Sequence, residues 1–104
     1  MTVTVEGLNI YYERSVGEGT PIVIMHGWGC SVETVRRVFD KLAASGRTVI
    51  AFDFPGFGRS DLPPVAFSTF DYARVALGFQ YRPCVPQQDI SLLGAAQSLS
   101  RSLE

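Results

Sequence analysis

Two stretches of this sequence decide its fold: Ile22-Val23-Ile24-Met25-His26-Gly27-Trp28-Gly29 and Val49-Ile50-Ala51-Phe52-Asp53-Phe54-Pro55-Gly56-Phe57-Gly58-Arg59-Ser60-Asp61. Each begins with a continuous apolar run, which is typical of a central parallel strand covered on both faces. Each then enters a loop whose glycines permit backbone angles that other residues avoid. Because a helix-like stretch separates them, the two runs predict a right-handed βαβ unit. Its loops are expected at the sheet edge where α/β enzymes place their sites.

The segments before the second stretch predict two more strands and one helix. Residues 2–6 and 9–14 are rich in β-formers and predict a β-hairpin with Gly7 near its turn, followed by a loop at residues 17–21. Ser31 or Thr34 is predicted to begin a helix that ends at Gly46. Its predicted apolar face has three- and four-residue spacing and comprises Val32, Val35, Val38, Phe39 and Leu42.

After the second stretch the pattern weakens. Ser68 or Thr69 is predicted to cap a short helix that runs through Leu77 and stops at Gly78, with Phe70, Ala73, Val75 and Leu77 as its apolar members. The chain is therefore predicted to consist of the N-terminal portion of a domain at residues 1–78 and a divergent or poorly ordered tail at residues 79–104. One more strand is expected at residues 90–93.

Composition limits the classes of partner. The chain has 104 residues, 46% of them hydrophobic, so it forms one small domain or part of a larger one. With a net charge of −1 and no basic block, neither nucleic acid nor an acidic membrane is an expected partner. The sequence shows no signal-peptide layout and no apolar run of membrane-spanning length, which predicts a cytoplasmic protein. Cys30 and Cys84 are expected to be reduced thiols, and their spacing matches no metal site.

The two loops suggest different roles. A strand that ends in His26-Gly27-Trp28-Gly29 brings backbone N–H groups to the sheet edge, where they can bind a developing oxyanion; the alternative is a plain tight turn. In the second loop every role that we assign is structural. Asp53 is expected to accept hydrogen bonds from N–H groups of its own loop. Gly56 and Gly58 permit the chain reversal, and Ser60 caps the turn.

With both loops in view, residues 5–75 resemble the N-terminal part of the α/β-hydrolase superfamily, in the branch of esterases, epoxide hydrolases, haloalkane dehalogenases and meta-cleavage-product hydrolases. The resemblance implies a partial α/β-hydrolase fold, a mixed sheet that opens with an antiparallel hairpin and continues with parallel strands and crossover helices. It also implies that the Trp28 N–H is an oxyanion-hole donor, and that His26, with Gly27 and Gly29, supports that loop without being the triad histidine. It further implies a small-molecule substrate and no cofactor.

The sequence departs from this family at the nucleophile. The family carries its nucleophile in a G-x-S-x-G elbow, and no such motif occurs here. At the corresponding distance, Ala96 takes the nucleophile's place and Ser98 that of the last glycine. No histidine follows His26, so Ser91 and Ser98 are expected to be solvated or capping residues. Cys30, near a helix N-terminus, is favoured as a packing residue over a nucleophile.

The sequence leaves two hypotheses about function, and a third hypothesis has less support. The first is a truncated or frameshifted hydrolase of esters or similar bonds. The second is a non-catalytic remnant or interaction module that self-associates through a sheet edge left bare where the chain ends. The third, a small nucleotide binder, is disfavoured because Gly27-Trp28-Gly29 lacks the third glycine of the dinucleotide fingerprint and Asp53 stands in the wrong context.

Overall fold

The computed structural model describes residues 1–85 and 91–94. Its strands are β1 (Thr2–Val5), β2 (Leu8–Ser15), β3 (Glu18–Met25), β4 (Arg47–Phe52) and β5 (Ser91–Gly94). Its helices are a single 3₁₀ turn (Val32–Val35), α1 (Arg36–Ala44) and α2 (Thr69–Gln80). Within the described residues, neither α-helix has the length and apolar character needed to cross a membrane.

The five strands form one mixed sheet in the order β1-β2-β4-β3-β5. The pairs β1/β2 and β2/β4 are antiparallel, whereas β3 pairs in parallel with β4 and with β5. The predicted opening hairpin and βαβ unit are therefore confirmed, and the strand expected at residues 90–93 lies at Ser91–Gly94. Met25 is in register with both Phe52 and Gly94, so the three parallel strands end at the same edge of the sheet.

The predicted loop at residues 17–21 is wrong, because β3 already begins at Glu18. Glu18 pairs with Arg47, and its N–H donates to the Gly46 carbonyl at 2.8 Å. The register shifts between Glu18 and Ile22, which is how a strand accommodates a stretch that contains Gly19 and Pro21. A bulge of this kind leaves no signature in the pattern of apolar residues.

Both faces of the sheet are covered. One face packs against α2 and contains Val23, Met25, Ile50 and Phe52. The other packs against α1 and contains Ile22, Ile24, Val49 and Ala51. Side chains alternate between the two faces along each strand, so only a continuous apolar run fills both cores. This arrangement explains why residues 22–25 and 49–52 are continuous apolar runs.

The first helical segment has a different phase from the one predicted. Ser31 is the N-cap of the 3₁₀ turn, and Val32 and Phe39 are buried as expected. Val38, however, is 43% exposed, so its assignment to the apolar face is wrong. A 3₁₀ turn advances by three residues per turn rather than 3.6, which shifts the phase of α1 and directs Phe39 instead of Val38 at the sheet.

The second helix is longer than predicted. Ser68 caps it, since the Ser68 hydroxyl accepts from the Asp71 N–H and the Asp71 carboxylate accepts from the Ser68 N–H. Gly78 does not stop the helix, which continues to Gln80, so the division predicted at residue 78 falls inside α2. A Cβ at Gly78 would lie 2.9 Å from Val5 Cγ1, which means that this glycine permits close packing against β1.

The buried face of α2 also differs from the predicted one. Its buried members are Ala73, Val75, Ala76 and Phe79. Phe70 is 62% exposed and Leu77 is exposed as well, so their assignment to the core is wrong. Because Phe79 reaches into the core and stacks on Phe52 at 4.3 Å between ring centroids, the helix turns Phe70 and Leu77 outward.

Candidate functional site

The two glycine-rich loops meet at the carboxyl edge of the sheet. We call His26–Gly29 the first loop and residues 53–61 the second loop. Because Met25 and Phe52 are in register at the ends of parallel strands, His26 and Asp53 leave the sheet side by side. The geometry therefore brings together the two motifs that the sequence separates by a helix.

His26 connects the first loop to the second. Its side chain is 3% exposed, and its Nε2 accepts a hydrogen bond from the Phe54 N–H at 2.9 Å. Nε2 accepts, so the ring proton of the neutral imidazole lies on Nδ1, which is 2.8 Å from the Gly27 carbonyl oxygen. Burial lowers the pKa of His26, which favours this neutral form. Both ring nitrogens are thus engaged, and His26 holds the loop instead of exchanging a proton with a ligand.

Asp53 makes the reciprocal connection. Its side chain is 2% exposed, and both carboxylate oxygens accept backbone N–H groups. Oδ1 accepts from Val32 at 2.6 Å, at the start of the helical segment that follows the first loop. Oδ2 accepts from Arg59 at 2.9 Å, within the second loop, as the sequence analysis expected of this residue. Asp53 therefore binds the entrance of one helix and the interior of its own loop at once.

The remaining residues of the second loop fix it to β2. Gly56 has a φ of +86°, and its N–H donates to the Asp61 carbonyl at 2.9 Å. The Ser60 hydroxyl donates to the Asp53 carbonyl at 2.5 Å and accepts from the Tyr11 N–H at 2.9 Å. Gly58, with a φ of +53°, lies so close to Asp53 that an added Cβ would be 2.1 Å from Oδ2.

The first loop carries Trp28 at the edge of the site. Gly29 has a φ of +75°, and the Cys30 N–H closes the turn on the Gly27 carbonyl at 3.1 Å. The backbone N–H of Trp28 donates to no acceptor within residues 1–85 and 91–94. A Cβ at Gly27 would meet nothing within 4 Å, so this residue keeps the approach to the loop open. The Trp28 indole is 81% exposed.

A pocket of about 600 Å³ lies beside these loops. Its lining comprises His26, Gly27, Trp28, Phe54, Phe57, Phe67, Ser68, Thr69 and Tyr72. No Asp, Glu, Lys or Arg is among these residues. Phe67 and Tyr72 are not among the residues predicted to form a site, and the one signal for them in the sequence is the aromatic density of residues 54–72.

Other sequence-predicted residues lie away from this pocket. Cys30 and Cys84 are not joined by a disulfide, and neither is part of the pocket lining. Ser91 lies in β5, whereas Ala96 and Ser98 fall outside the described residues. In the part of the chain that the structure describes, no three His, Cys, Asp or Glu side chains are grouped so as to hold a metal ion.

Comparison with known proteins agrees with this architecture. The family defined by the alpha/beta hydrolase fold matches residues 20–96, which include both loops and β5. The chain belongs to this family. It is 39% identical over 89 residues to the mesoderm-specific transcript homolog protein of Bos taurus, a match that covers 76% of this chain and 27% of that protein.

Solved structures match a larger share of this chain than the relative above does. The Cif epoxide hydrolase from Acinetobacter nosocomialis superposes with a TM-score of 0.83 at 24% identity, over 99% of this chain and 32% of that one. An esterase from Exiguobacterium antarcticum superposes with a TM-score of 0.76 at 26% identity, over 89% of this chain and 34% of that one. The chain thus spans only about a quarter to a third of the length of these relatives.

Proposed function

We propose that this chain forms the oxyanion-binding portion of a hydrolase that acts on esters or similar bonds of a small-molecule substrate. The observation that carries the proposal is that Trp28, whose backbone N–H has no acceptor among residues 1–85 and 91–94, lines a pocket with no charged side chain among its described lining residues. Two of the structural relatives are an epoxide hydrolase and an esterase, which supports hydrolysis as the reaction class. The resemblance implies no cofactor, and the proposed reaction uses none.

In the proposed reaction, a substrate carbonyl oxygen lies against the Trp28 N–H. As a nucleophile adds to the carbonyl carbon, this oxygen becomes negative, and the fixed N–H stabilises it without having to reorient. Removal of one such donor costs roughly 2.7–4 kcal/mol of transition-state stabilisation. Cross-bonding of the loop by His26 and Asp53 supports this role, because it holds the donor in place before the substrate arrives.

The nucleophile and base of the reaction are not assigned to this chain. The sequence contains no G-x-S-x-G, and its single histidine is His26, whose ring nitrogens are both engaged. What the chain contributes in this proposal is binding, orientation and charge stabilisation. The protein is further proposed to act in the cytoplasm.

The proposal is tested by following the Trp28 amide in a ¹H–¹⁵N correlation spectrum during titration with ethyl methylphosphonate, a monoanionic tetrahedral mimic. We expect a saturable downfield shift of Trp28, while Gly7 in the hairpin turn does not move. Trp28→Phe keeps the N–H and should retain binding, whereas Trp28→Pro removes it and should abolish binding. A Trp28 amide that stays unmoved as the mimic reaches tens of millimolar would contradict the proposal.

A second candidate function is self-association through β5. This strand pairs with β3 on one side, and none of the other strands at residues 1–85 pairs with its second side. An open edge offers backbone groups to another strand. Light scattering after size exclusion would show a dimer whose population rises with concentration; a monomer throughout the micromolar range would exclude this function.

A further inference from the structure

The pocket beside Trp28 combines many aromatic rings with no Asp, Glu, Lys or Arg among its described lining residues. We propose that it takes an uncharged ester that carries an aromatic ring, bound with that ring against Trp28 and Tyr72. This inference rests on the proposed function and adds the substrate class to it. It follows from the geometry of the rings, from the charges around the pocket and from its size.

Three rings form the proposed aromatic subsite: Trp28, Phe57 and Tyr72. The centroid of Trp28 lies 5.2 Å from Phe57 at 73° between planes, and 5.9 Å from Tyr72 at 87°. Phe57 and Tyr72 are 6.3 Å apart at 47°. Edge-to-face pairs at such distances are favourable, and they hold each ring in one orientation. The subsite is therefore preformed by contacts between the first loop, the second loop and α2.

The indole of Trp28 still has most of its surface open. Two neighbouring rings fix its position, yet 81% of the residue remains exposed to solvent. A large aromatic surface exposed at the rim of a pocket gains free energy when another apolar surface covers it. An aromatic ring suits the exposed indole best, because it can pack on it in an offset-stacked or edge-to-face geometry.

The polar groups around the pocket do not favour a charge on the ring of the ligand, away from the Trp28 N–H. Ser68 is the N-cap of α2, and the Asp71 carboxylate, which accepts the Ser68 N–H at 2.8 Å, places a negative charge in the first turn of this helix. Asp71 is in turn paired with Arg74 at 2.8 Å. Burial lowers the pKa of His26, so the imidazole remains neutral. A carboxylate carried on that ring would lose hydration without gaining a cation among the described lining residues.

The size of the pocket fits a ligand of this class. Sites for small molecules occupy roughly 300–1,000 Å³. The volume here, about 600 Å³, leaves room for one ring together with an ester group. Trp28 and Tyr72 line the same pocket, so a ligand with its ring against both residues has its ester group in the pocket whose wall includes Trp28. The Trp28 N–H is the group proposed to bind the ester carbonyl.

The full chain provides its own reporter, since Trp28 is the single tryptophan. We would titrate it with three matched esters and record its fluorescence: benzyl acetate, cyclohexylmethyl acetate and 4-carboxybenzyl acetate. Benzyl acetate is expected to shift the emission to shorter wavelength. The saturated analogue should bind about three- to tenfold more weakly, in keeping with the usual worth of an aromatic pair. The charged analogue should bind at least tenfold more weakly.

A pair of variants, one in α2 and one just beyond its end, locates the binding. Tyr72→Leu removes a ring of the subsite and should weaken benzyl acetate binding about three- to tenfold. Tyr81→Leu makes the same change at an exposed position beyond the end of α2 and should leave binding unchanged. If Tyr72→Leu fails to fold, as judged by circular dichroism, the three-ester comparison on the unaltered chain decides alone. Equal affinity for all three esters, or tighter binding of the charged ester, overturns the inference.

Failure of this inference and failure of the proposed function give different results. If phosphonate moves the Trp28 amide but the esters show no preference, the substrate class is wrong and the oxyanion site stands. If benzyl acetate binds preferentially while the Trp28 amide never responds to the phosphonate, the pocket binds aromatic molecules without the proposed catalytic role.

Discussion

Replacement of Asp53 by asparagine tests the connection between the two loops. The side chain is 2% exposed, and its two oxygens accept the Val32 N–H at 2.6 Å and the Arg59 N–H at 2.9 Å. An asparagine of the same shape has one acceptor oxygen only. Its NH₂ group must therefore face one of these two N–H donors, whichever way the amide is turned.

The expected loss follows from these contacts. A buried hydrogen bond to a charged group contributes roughly 1.5–3 kcal/mol, and a buried donor left unpaired costs roughly 1–3 kcal/mol. Asp53→Asn loses one bond, leaves one donor unpaired and weakens the second bond, so the free energy of unfolding should fall by roughly 3–5 kcal/mol. A domain of this size has a total of about 5–15 kcal/mol. The midpoint of thermal unfolding should fall by roughly 12 °C or more.

Urea unfolding followed by circular dichroism measures this loss. The control is Asp40→Asn, because Asp40 lies on the exposed side of α1 and its carboxylate makes no hydrogen bond or ion pair within the described residues. The control should stay within about 0.5 kcal/mol of the unaltered chain. A loss below about 1 kcal/mol for Asp53→Asn would refute the reasoning, since the buried carboxylate would then not be holding the loops together.

The other predictions concern stability as well. Gly58→Ala should lower the free energy of unfolding in urea by roughly 2–4 kcal/mol, because the new Cβ would lie 2.1 Å from the Asp53 carboxylate. The control Gly7→Ala, at a φ of +75° with nothing within 4 Å of the new Cβ, should lower it by only roughly 1–2 kcal/mol. Equal losses for the two variants would contradict the steric argument. Burial lowers the pKa of His26 in the folded chain, so as the pH falls the imidazole is protonated in the unfolded chain before it is protonated in the folded one. The free energy of unfolding should therefore fall below pH 6.5, by up to about 1.4 kcal/mol per pH unit. His26→Gln should make this pH dependence weaker. Arg36 lowers the pKa of Glu13 to about 2, so the Glu13–Arg36 pair stabilises the fold above about pH 4.5 and this contribution is lost as the pH falls toward 2. Arg36→Met should remove roughly 1 kcal/mol at pH 7 and make thermal unfolding less sensitive to pH across that acidic window, and an unchanged pH profile would contradict it.

The sequence predicts the strands of this fold better than its helices. The apolar runs at Ile22 and Val49 identify β3 and β4 because both faces of these strands are buried, so every position carries the signal. Helical faces depend on the phase of the helix, and the 3₁₀ turn before α1 changes that phase at Val38. Gly78 was predicted to stop α2 by its propensity, whereas its contact with Val5 requires knowledge of which strand lies beneath the helix.

The sequence predicts one part of the candidate site, the two loops, but not the aromatic wall opposite them. The spacing of the two glycine-rich motifs, together with the parallel strands before them, is enough to bring His26 and Asp53 to one edge. The wall formed by Phe67 and Tyr72 was not predictable, since it depends on where α2 packs after an irregular connection. A local pattern carries no information on which rings face the pocket across that distance.

The exchange of hydrogen bonds between the loops links the fold to the proposed chemistry. β3 and β4 are each followed by a polar side chain that binds backbone beyond the other strand: His26 accepts from Phe54, and Asp53 accepts from Val32. These partners are 28 and 21 residues apart, so neither bond forms until the βαβ unit has closed. The orientation of the Trp28 N–H therefore depends on the completed sheet rather than on the first loop alone. A buried acceptor on each strand makes this arrangement reciprocal, because disruption of either bond leaves a backbone N–H of the other segment unpaired.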